Sequence, residues 1–303
     1  MLGAKTLARA KINLFLSVGP RREDGYHGIR SVMQALELSD ELYFRRTDGS
    51  GGRIALRCND QKIPPGEENL VWKAIETFAS ETGVMDEGGI EVFINKRIPV
   101  GAGLAGGSAD AAAALVAMDH IWELKMPPAE IDRIAARVGS DVTFCLHGGT
   151  AMVTGKGENV EPLEPLPSFR AVIASSGEEA STADVYRRFD SVFAESGSPS
   201  EEELERNLSA LLEGAKKGDF EAISANLHNS LESATIARDR LEQYKNAALE
   251  AGAAAALMTG SGPAVFALVR TLEEAAEVAW ELEKAAPITI ITGFADRGAQ
   301  VVD

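Results

Sequence analysis

The sequence predicts an α+β protein made of two domains. Strand periodicity near the N-terminus, a glycine-rich segment between a strand and a helix, and a later alternation of strands and helices all indicate this class. With 303 residues, the chain is longer than most single domains. A cluster of prolines at positions 162, 165 and 167 marks the break between them. We therefore predict domains over residues 1–165 and 166–303.

The first predicted element is a β-strand over residues 10–18. Its apolar residues alternate with polar ones, which is the two-residue period of a strand. Lys11 and Asn13 are two positions apart, so we expect their side chains on one face, about 7 Å from each other. A second strand over residues 90–94 leads into the glycine-rich segment.

Two helices are predicted in the rest of the first domain. One spans residues 108–118, which are rich in alanine, and Ser108 or Gly107 is expected to cap it. Asp110 would add a carboxylate in its first turn. The other spans residues 129–138 and ends before a glycine.

The second domain has a recognisable order of elements. We expect, in sequence, a strand over 170–174, helices between 200 and 251, strands over 254–258 and 264–270, a helix over 273–285 and a strand over 288–294. If the middle helices count as one excursion, this is the β-α-β-β-α-β order of ferredoxin-like domains. Residues 196–203 are typical of a surface loop that leads into a capped helix.

The charge of the chain excludes some partners. Thirty Lys and Arg stand against 46 Asp and Glu, a formal net charge of −16. Such a balance repels nucleic acid and anionic membranes, so neither is expected as a partner. Any phosphate site must then be local, built from backbone N–H groups, a few lysines or a bound cation.

The remaining composition indicates a cytoplasmic protein. Cys58 and Cys145 lie far apart without the spacing of metal ligands, so we expect buried free thiols. The apolar run that follows the N-terminal basic residues is short and contains Asn13, which excludes a signal peptide. Charged residues interrupt the alanine-rich segment near residue 111, so it cannot span a bilayer.

The glycine-rich segment is the strongest candidate for a binding site. It consists of Pro99, Val100, Gly101, Ala102, Gly103, Leu104, Ala105, Gly106, Gly107, Ser108 and Ala109. Glycines allow close approach of the backbone to a phosphate, and the start of the following helix adds positive charge. The spacing is not that of a P-loop, because no Gly-Lys-Ser/Thr ends it. Phosphate binding is favoured over a flexible connector.

Three further motifs place polar or aromatic side chains at predicted turns. Tyr26 and His27 follow an Asp-Gly pair, which indicates either a hairpin loop or a clamp for a flat heterocycle. Asp141 follows a helix, where capping the next helix is its ordinary role. The Thr-Gly-Ser-Gly-Pro stretch over residues 259–263 is either a tight hairpin or a second glycine-rich surface that closes over a ligand.

Together these motifs resemble those of the GHMP kinases. Ala-Lys-Ile-Asn-Leu-Phe-Leu from residue 10, the glycine-rich segment and Thr-Gly-Ser-Gly-Pro are similar to the three motifs of that family. The resemblance implies an N-terminal domain like domain 2 of ribosomal protein S5 and a ferredoxin-like C-terminal domain. Gly-Gly-Ser, Asp-Gly-Tyr-His and Gly-Ser-Asp-Val resemble the branch that phosphorylates the 2-hydroxyl of a cytidine diphosphate sugar alcohol in non-mevalonate isoprenoid biosynthesis.

The resemblance also implies roles for the matched residues. Lys11 and Asp141 match the catalytic pair beside the acceptor hydroxyl, and Asn13 matches a residue that positions the substrate. Residues 99–109 match the ATP-phosphate loop. The other implied substrate-binding residues are Tyr26, His27, Tyr186, Gly260, Ser261 and Gly262. In this arrangement the cytosine lies between the two tyrosine rings, and the histidine region bonds its edge.

The cofactors and partners follow from the same resemblance. It implies ATP as phosphoryl donor with Mg²⁺, for which Ser108 is the expected protein oxygen. The partners would be two small molecules, bound by a monomer or homodimer. The chain differs from the family at Ala105, where many members have a third glycine, and at Thr143, where proline is common.

Three alternatives remain open from the sequence. A homoserine or mevalonate kinase would usually carry a Ser-Ser form of the loop and lack Asp-Gly-Tyr-His. A non-catalytic metabolite sensor on the same fold would have lost Lys11 or Asp141, and both are present. A nucleic-acid-binding module is suggested by the ribosomal-protein likeness of the first half, but the net charge argues against it.

Overall fold

The computed structural model describes residues 3–48, 53–85, 88–196 and 200–302. The strands are β1 (Gly3–Arg21), β2 (His27–Asp48), β3 (Ile54–Cys58), β4 (Gly88–Asn95), β5 (Thr150–Gly155), β6 (Asn159–Pro162), β7 (Arg170–Ser175), β8 (His228–Asn229), β9 (Ala255–Met258), β10 (Val265–Val269), β11 (Ile288–Gly293) and β12 (Gln300–Val302). The predicted strands are confirmed, with β1 extending well beyond both of its predicted ends.

Helices lie between the strands. They are α1 (Leu70–Thr82), α2 (Gly106–Ile121), α3 (Pro128–Val138), α4 (Val142–His147), α5 (Thr182–Ser196), α6 (Glu201–Lys217), α7 (Phe220–Ala225), α8 (Arg238–Glu250) and α9 (Leu272–Leu282), with a 3-10 helix at Ser230–Ala234. Ser200 caps α6 through its side chain, which confirms the capped helix. The loop predicted over residues 196–203 is shorter than expected, because residue 196 ends α5 and residues 201–203 begin α6, and residues 197–199 lie outside the described residues. In the described part of the chain, no helix has the length and apolar character needed to cross a membrane.

Two sheets organise these elements. The first has the order β12-β1-β2-β4-β3, with β5 and β6 continuing from β2 and β8 pairing with β1. The second is antiparallel with the order β11-β7-β10-β9, and α8 and α9 pack on it. This is the ferredoxin-like arrangement that the sequence predicts. The boundary at residue 165 stays a prediction, and β8 and β12 return from beyond it to pair with β1.

The centre of β1 is buried on both faces. Helix α2 covers one side, and elements from the second half of the chain cover the other. Lys11 and Asn13 are therefore only 3% and 1% exposed, although a strand with this alternation is usually wet on its polar face. Because buried polar groups need partners, these two side chains must be paired within the protein.

The start of α2 differs from the prediction. Helix α2 begins at Gly106, and its N-cap is Ala105, whose side chain cannot cap. Ser108 and Gly107 thus lie inside the first turn, so neither is the cap. Asp110 falls beyond the first turn and is buried, and its carboxylate contacts Lys96 Nζ at 2.8 Å. The predicted cap and the predicted first-turn carboxylate were therefore both wrong, because the helix begins two residues earlier than expected.

The cysteines are free, as expected. The thiol of Cys145 is buried, and burial raises its pKa, whereas Cys58 is only partly buried at the end of β3. Neither thiol therefore has the exposed, electropositive surroundings of a reactive cysteine.

Candidate active site

A cleft of about 950 Å³ lies between the two halves of the fold. The glycine-rich loop forms its centre, where the chain leaves β4 and enters α2. The cleft collects all of the loop residues except Ala109, and every predicted site residue outside the loop except Gly262. Ala109 is fully buried, and Gly262 lies in the turn between β9 and β10 with its Cα facing the side chain of Met258.

The loop adopts a backbone that favours glycine. Gly101 and Gly103 have φ values of 64° and 82°, in the left-handed region. Ala105 also has a positive φ of 57°. A non-glycine residue costs about 1–2 kcal/mol there, which explains why a third glycine would suit this position. The loop is thus a preformed curve that turns its backbone toward the cleft and ends at the N-terminus of α2.

Lys11 connects β1 to this loop. Its backbone N–H donates to the carbonyl oxygen of Leu104 at 3.1 Å. Its Nζ donates to Asn13 Oδ1 at 2.7 Å and to the carbonyl oxygen of Gly103 at 3.1 Å. The prediction that Lys11 and Asn13 share one face of the strand is therefore confirmed. The ammonium group is fixed at the floor of the cleft.

Asp141 lies opposite this ammonium group. Its Oδ2 is 3.9 Å from Lys11 Nζ, and its side chain is 31% exposed toward the cleft. Asp141 occupies the N-cap position of α4, but its side chain makes no capping hydrogen bond. The carboxylate is thus available to a ligand, and the capping interpretation is not supported.

The second glycine turn packs directly on the first loop. The Ala264 N–H donates to the Ala102 carbonyl oxygen at 3.3 Å, and Thr259 Oγ1 to the Gly103 carbonyl oxygen at 3.4 Å. A Cβ at Gly260 would lie 2.8 Å from the Gly103 oxygen and 3.2 Å from Lys11 Nζ. Only glycine allows this approach, so the turn between β9 and β10 forms part of the cleft wall.

Aromatic side chains line the other end of the cleft. Tyr26 is 58% exposed, and Lys156 Nζ lies 4.5 Å from the centre of its ring. His27 is buried, and its ring centre lies 5.2 Å from that of Tyr186. Burial, with a smaller contribution from the negative charge of Asp141, raises the pKa of Tyr186 to about 12. The three rings predicted to hold a base therefore line the same cleft, and those of His27 and Tyr186 are in contact.

The ring of His27 is held within the protein. Its Nδ1 lies 2.9 Å from the Gly19 carbonyl oxygen, so that nitrogen carries the proton and donates. Its Nε2 faces Asp190 Oδ1 at 3.3 Å. The imidazole is thus oriented by α5 and by the end of β1, and a base would meet it as a fixed surface.

Several cleft residues were missed by sequence reasoning. They are Asn69, Lys96, Lys156, Thr182 and Asp190, together with Arg187. Asn69 was detectable, because its side chain caps α1 by accepting from the Val71 N–H at 2.8 Å, an ordinary helix-start signal. The others carry no local signal, because tertiary packing alone brings them to the cleft.

The described residues hold no group of three His, Cys, Asp or Glu side chains that could bind a metal ion. Ser108 lines the cleft in the first turn of α2, where its hydroxyl can face a ligand.

The two-part fold and the loop with its lysine and aspartate define a class of small-molecule kinase. The N-terminal domain model of the GHMP kinases matches residues 69–149, and their C-terminal model matches residues 211–288. A homoserine kinase from Cytophaga hutchinsonii has a TM-score of 0.81 and covers 100% of this chain and 98% of its own, at 23% identity. At that identity the likeness shows the shared fold alone.

Two relatives with higher sequence identity than this homoserine kinase are enzymes of one particular type. A 4-diphosphocytidyl-2-C-methyl-D-erythritol kinase from Pelotomaculum thermopropionicum is 44% identical over 90% of this chain and 91% of its own. A crystal structure of 4-(cytidine 5′-diphospho)-2C-methyl-D-erythritol kinase has a TM-score of 0.76 at 32% identity, covering 96% of this chain and 99% of that one. The chain belongs to the GHMP kinases and, within them, to the 4-diphosphocytidyl-2-C-methyl-D-erythritol kinase family.

Proposed function

We propose that the chain transfers the γ-phosphoryl group of ATP to the 2-hydroxyl of 4-diphosphocytidyl-2-C-methyl-D-erythritol, giving the 2-phosphate and ADP. The observation that carries this proposal is the Lys11–Asp141 pair, 3.9 Å apart and in the same cleft as the glycine-rich loop. The acceptor is the molecule named in the relatives' activity, and the aromatic side chains of the cleft fit its cytosine base.

The donor site would be the loop over residues 99–109. Its backbone curves toward the cleft, and α2 begins at its end, so N–H groups and the helix dipole would meet the phosphates. This local positive potential matters because the whole chain carries a net charge of −16. The charge otherwise disfavours anionic partners such as nucleic acid or an anionic membrane.

Asp141 would accept the proton of the acceptor hydroxyl. Its carboxylate is partly exposed in the cleft and makes no capping hydrogen bond, so a hydroxyl can reach it. Lys11 would face the transferring group from the floor of the cleft, where Asn13 and the Gly103 carbonyl oxygen hold its ammonium group. Phosphoryl transfer depends mainly on positioning and charge stabilisation, which this rigid pair can provide.

Mg²⁺ would enter with ATP. The phosphates would provide most of its ligands and Ser108 a protein oxygen, since the described residues include no carboxylate cage. The bound ion would neutralise charge on the phosphates.

The acceptor would place its cytosine at the aromatic end of the cleft. Tyr26 offers an exposed ring for stacking, and Tyr186 offers a half-buried ring in the same cleft. The fixed ring of His27 lies beside Tyr186, where it would close one side of the base pocket. Gly260 and Ser261 would close over the substrate from the second domain, and Gly262 would shape the turn that carries them.

The deciding experiment measures ADP release from Mg²⁺-ATP with three acceptors, offered separately to the full chain. We expect turnover with 4-diphosphocytidyl-2-C-methyl-D-erythritol and background rates with homoserine and mevalonate. Turnover with either of the latter would overturn the acceptor and leave the kinase class intact. Absence of turnover with all three, despite measurable ATP binding, would favour a metabolite sensor. We further propose a cytoplasmic protein, active as a monomer or homodimer.

A further inference from the structure

A second lysine–aspartate group lies against the glycine-rich loop and is more deeply buried than the Lys11–Asp141 pair. Lys96 Nζ is 2.5 Å from Asp40 Oδ2 and 2.8 Å from Asp110 Oδ2. The three side chains are 5%, 0% and 5% exposed. Three ionisable groups rarely enter a protein interior together, because removing charges from water is costly unless short contacts offset it.

The members of this group come from the elements that meet at the two ends of the loop. Lys96 follows β4 directly, and Asp110 lies in α2, so the first leads into the loop and the second leaves it. Asp40 belongs to β2, the strand beside β4. Its Oδ1 accepts from the backbone N–H of Arg97 and, at 2.8 Å, from that of Ile98, the last residues before the loop.

The group also touches the loop from below. A Cβ added at Gly106 would lie 3.1 Å from Lys96 Nζ, so the ammonium group sits against the first residue of α2. Between the two tethered ends, Gly101, Gly103 and Ala105 have positive φ values. Such a backbone persists where the surrounding structure holds it, because it is sparsely populated otherwise.

Burial and neighbouring charges shift the pKa values of Lys96 and Asp110. Burial lowers the pKa of Lys96, but the carboxylates of Asp110 and Asp40 more than offset this and raise it. Burial raises the pKa of Asp110 well above its usual range, and its Oδ1 has no hydrogen-bond partner. The other oxygen, Oδ2, accepts from Lys96 Nζ at 2.8 Å. The amide oxygen of an asparagine at position 110 could accept from Lys96 in the same place.

We propose that Lys96, Asp40 and Asp110 form a brace that ties both ends of the phosphate loop and holds it in its nucleotide-binding shape. Asp40 is then a positioning residue for ATP, although it does not line the cleft. The inference rests on the proposed function, since it takes the loop to be the ATP site. Asp40 is the informative member, because Lys96 and Asp110 line the cleft and could touch a nucleotide directly.

The test compares Asp40→Asn with the wild-type chain. We expect the KM for ATP and the Kd for ADP, measured by calorimetry on the free protein, to rise about 10- to 100-fold, as a loop displaced by about 1 Å would produce. The acceptor KM should change less than about twofold, since its base pocket lies elsewhere. Glu41→Gln is the matched control, because Glu41 is the next residue of β2 and its carboxylate pairs with Lys5 and Arg97 instead. It should leave both constants unchanged.

A second pair of variants keeps the proposal testable if Asp40→Asn does not fold. Asp110→Ala should weaken ADP binding about tenfold or more, and Asp110→Asn should restore it to within about threefold, because the amide oxygen can still accept from Lys96. Faster amide hydrogen exchange over residues 100–106 should accompany the loss. Unchanged ADP affinity in a folded Asp40 or Asp110 variant with only a lower Tm would overturn the brace.

The brace and the proposed reaction can fail separately. ADP binding requires neither the acceptor nor turnover, so a chain that binds ADP but phosphorylates none of the three acceptors would refute the reaction alone. Equal losses of ATP and acceptor affinity in Asp40→Asn would refute the brace alone, because general loosening of the fold affects both ends of the cleft.

Discussion

Two lysine–aspartate groups flank the glycine-rich loop, and they differ in depth and distance. Lys11 and Asp141 are 3.9 Å apart, and the aspartate is 31% exposed to the cleft. In the group of Lys96, Asp40 and Asp110, the contacts are 2.5 and 2.8 Å, and no side chain is more than 5% exposed. The same residue types therefore meet under opposite conditions on two sides of one loop.

The difference in burial suits the two groups to different roles. A buried ion group is tolerated only with short contacts, which hold it in one geometry. A wider pair at a cleft leaves room for a reacting hydroxyl and lets its carboxylate exchange partners. The first group can fix the loop, and the second can act on what the loop binds.

The comparison is tested most strongly by Asp141→Asn. The amide cannot accept the hydroxyl proton, so we expect kcat to fall about 10²- to 10⁴-fold, the usual contribution of a positioned base. The KM for ATP should stay within about twofold, because the loop is intact. Steady-state measurements of kcat and KM on Asp141→Asn and on Asp110→Asn, made side by side, test this difference. Near-normal turnover in Asp141→Asn, or equal losses in both variants, would remove the distinction.

Tyr26→Ala changes the cleft away from both groups. Stacking of a base on an aromatic ring contributes about 1–3 kcal/mol, so the acceptor KM should rise about 5- to 150-fold. The KM for ATP should not change. Initial rates at saturating ATP measure the effect, and Tyr43→Ala, another exposed tyrosine outside the cleft, is the control. An unchanged acceptor KM would mean that Tyr26 does not contact the base.

Gly260→Ala perturbs the contact of Lys11 with the glycine-rich loop. The new Cβ would approach the Gly103 oxygen to 2.8 Å and Lys11 Nζ to 3.2 Å, so we expect kcat to fall about tenfold as the ammonium group moves. Gly252→Ala is the control, since its φ is also positive, at 98°, but nothing lies within 4 Å of the added atom. Both variants carry backbone strain of about 1–3 kcal/mol, visible as a lower Tm. Equal activities in the two would show that the contact with Lys11 is unimportant.

Tyr186→Phe tests, through the pH dependence of stability, whether burial raises the pKa of the Tyr186 hydroxyl. The Tyr186 pKa of about 12 lies above the value of about 10 in the unfolded chain, so the unfolded state loses its proton first as pH rises. The wild type should therefore lose about 1.4 kcal/mol of unfolding free energy between pH 9 and pH 11 that Tyr186→Phe retains. Urea unfolding at both pH values measures this. Parallel losses in the two proteins would contradict a buried Tyr186.

Local patterns predicted much of the fold because they depend on near neighbours in the chain. Two-residue alternation identified β1 and the shared face of Lys11 and Asn13, and the order of elements identified the ferredoxin-like half. The same reasoning misplaced the cap of α2 at Ser108 or Gly107. There the tertiary structure prevailed, because Ala105 takes a left-handed conformation at the end of the loop and α2 starts one residue later.

The sequence by itself determined the glycine-rich loop and the strand that carries Lys11, since glycine spacing and side-chain alternation act within a few residues. Only the tertiary structure decided which charges meet. The local pattern gives Asp141 a capping role, and only the resemblance to the GHMP kinases pairs it with Lys11, which it faces across the cleft. Asp110, expected in the first turn of α2, turns inward to Lys96 instead. Partner choice depends on distance and burial between segments far apart in the chain, and neither quantity is encoded in local spacing.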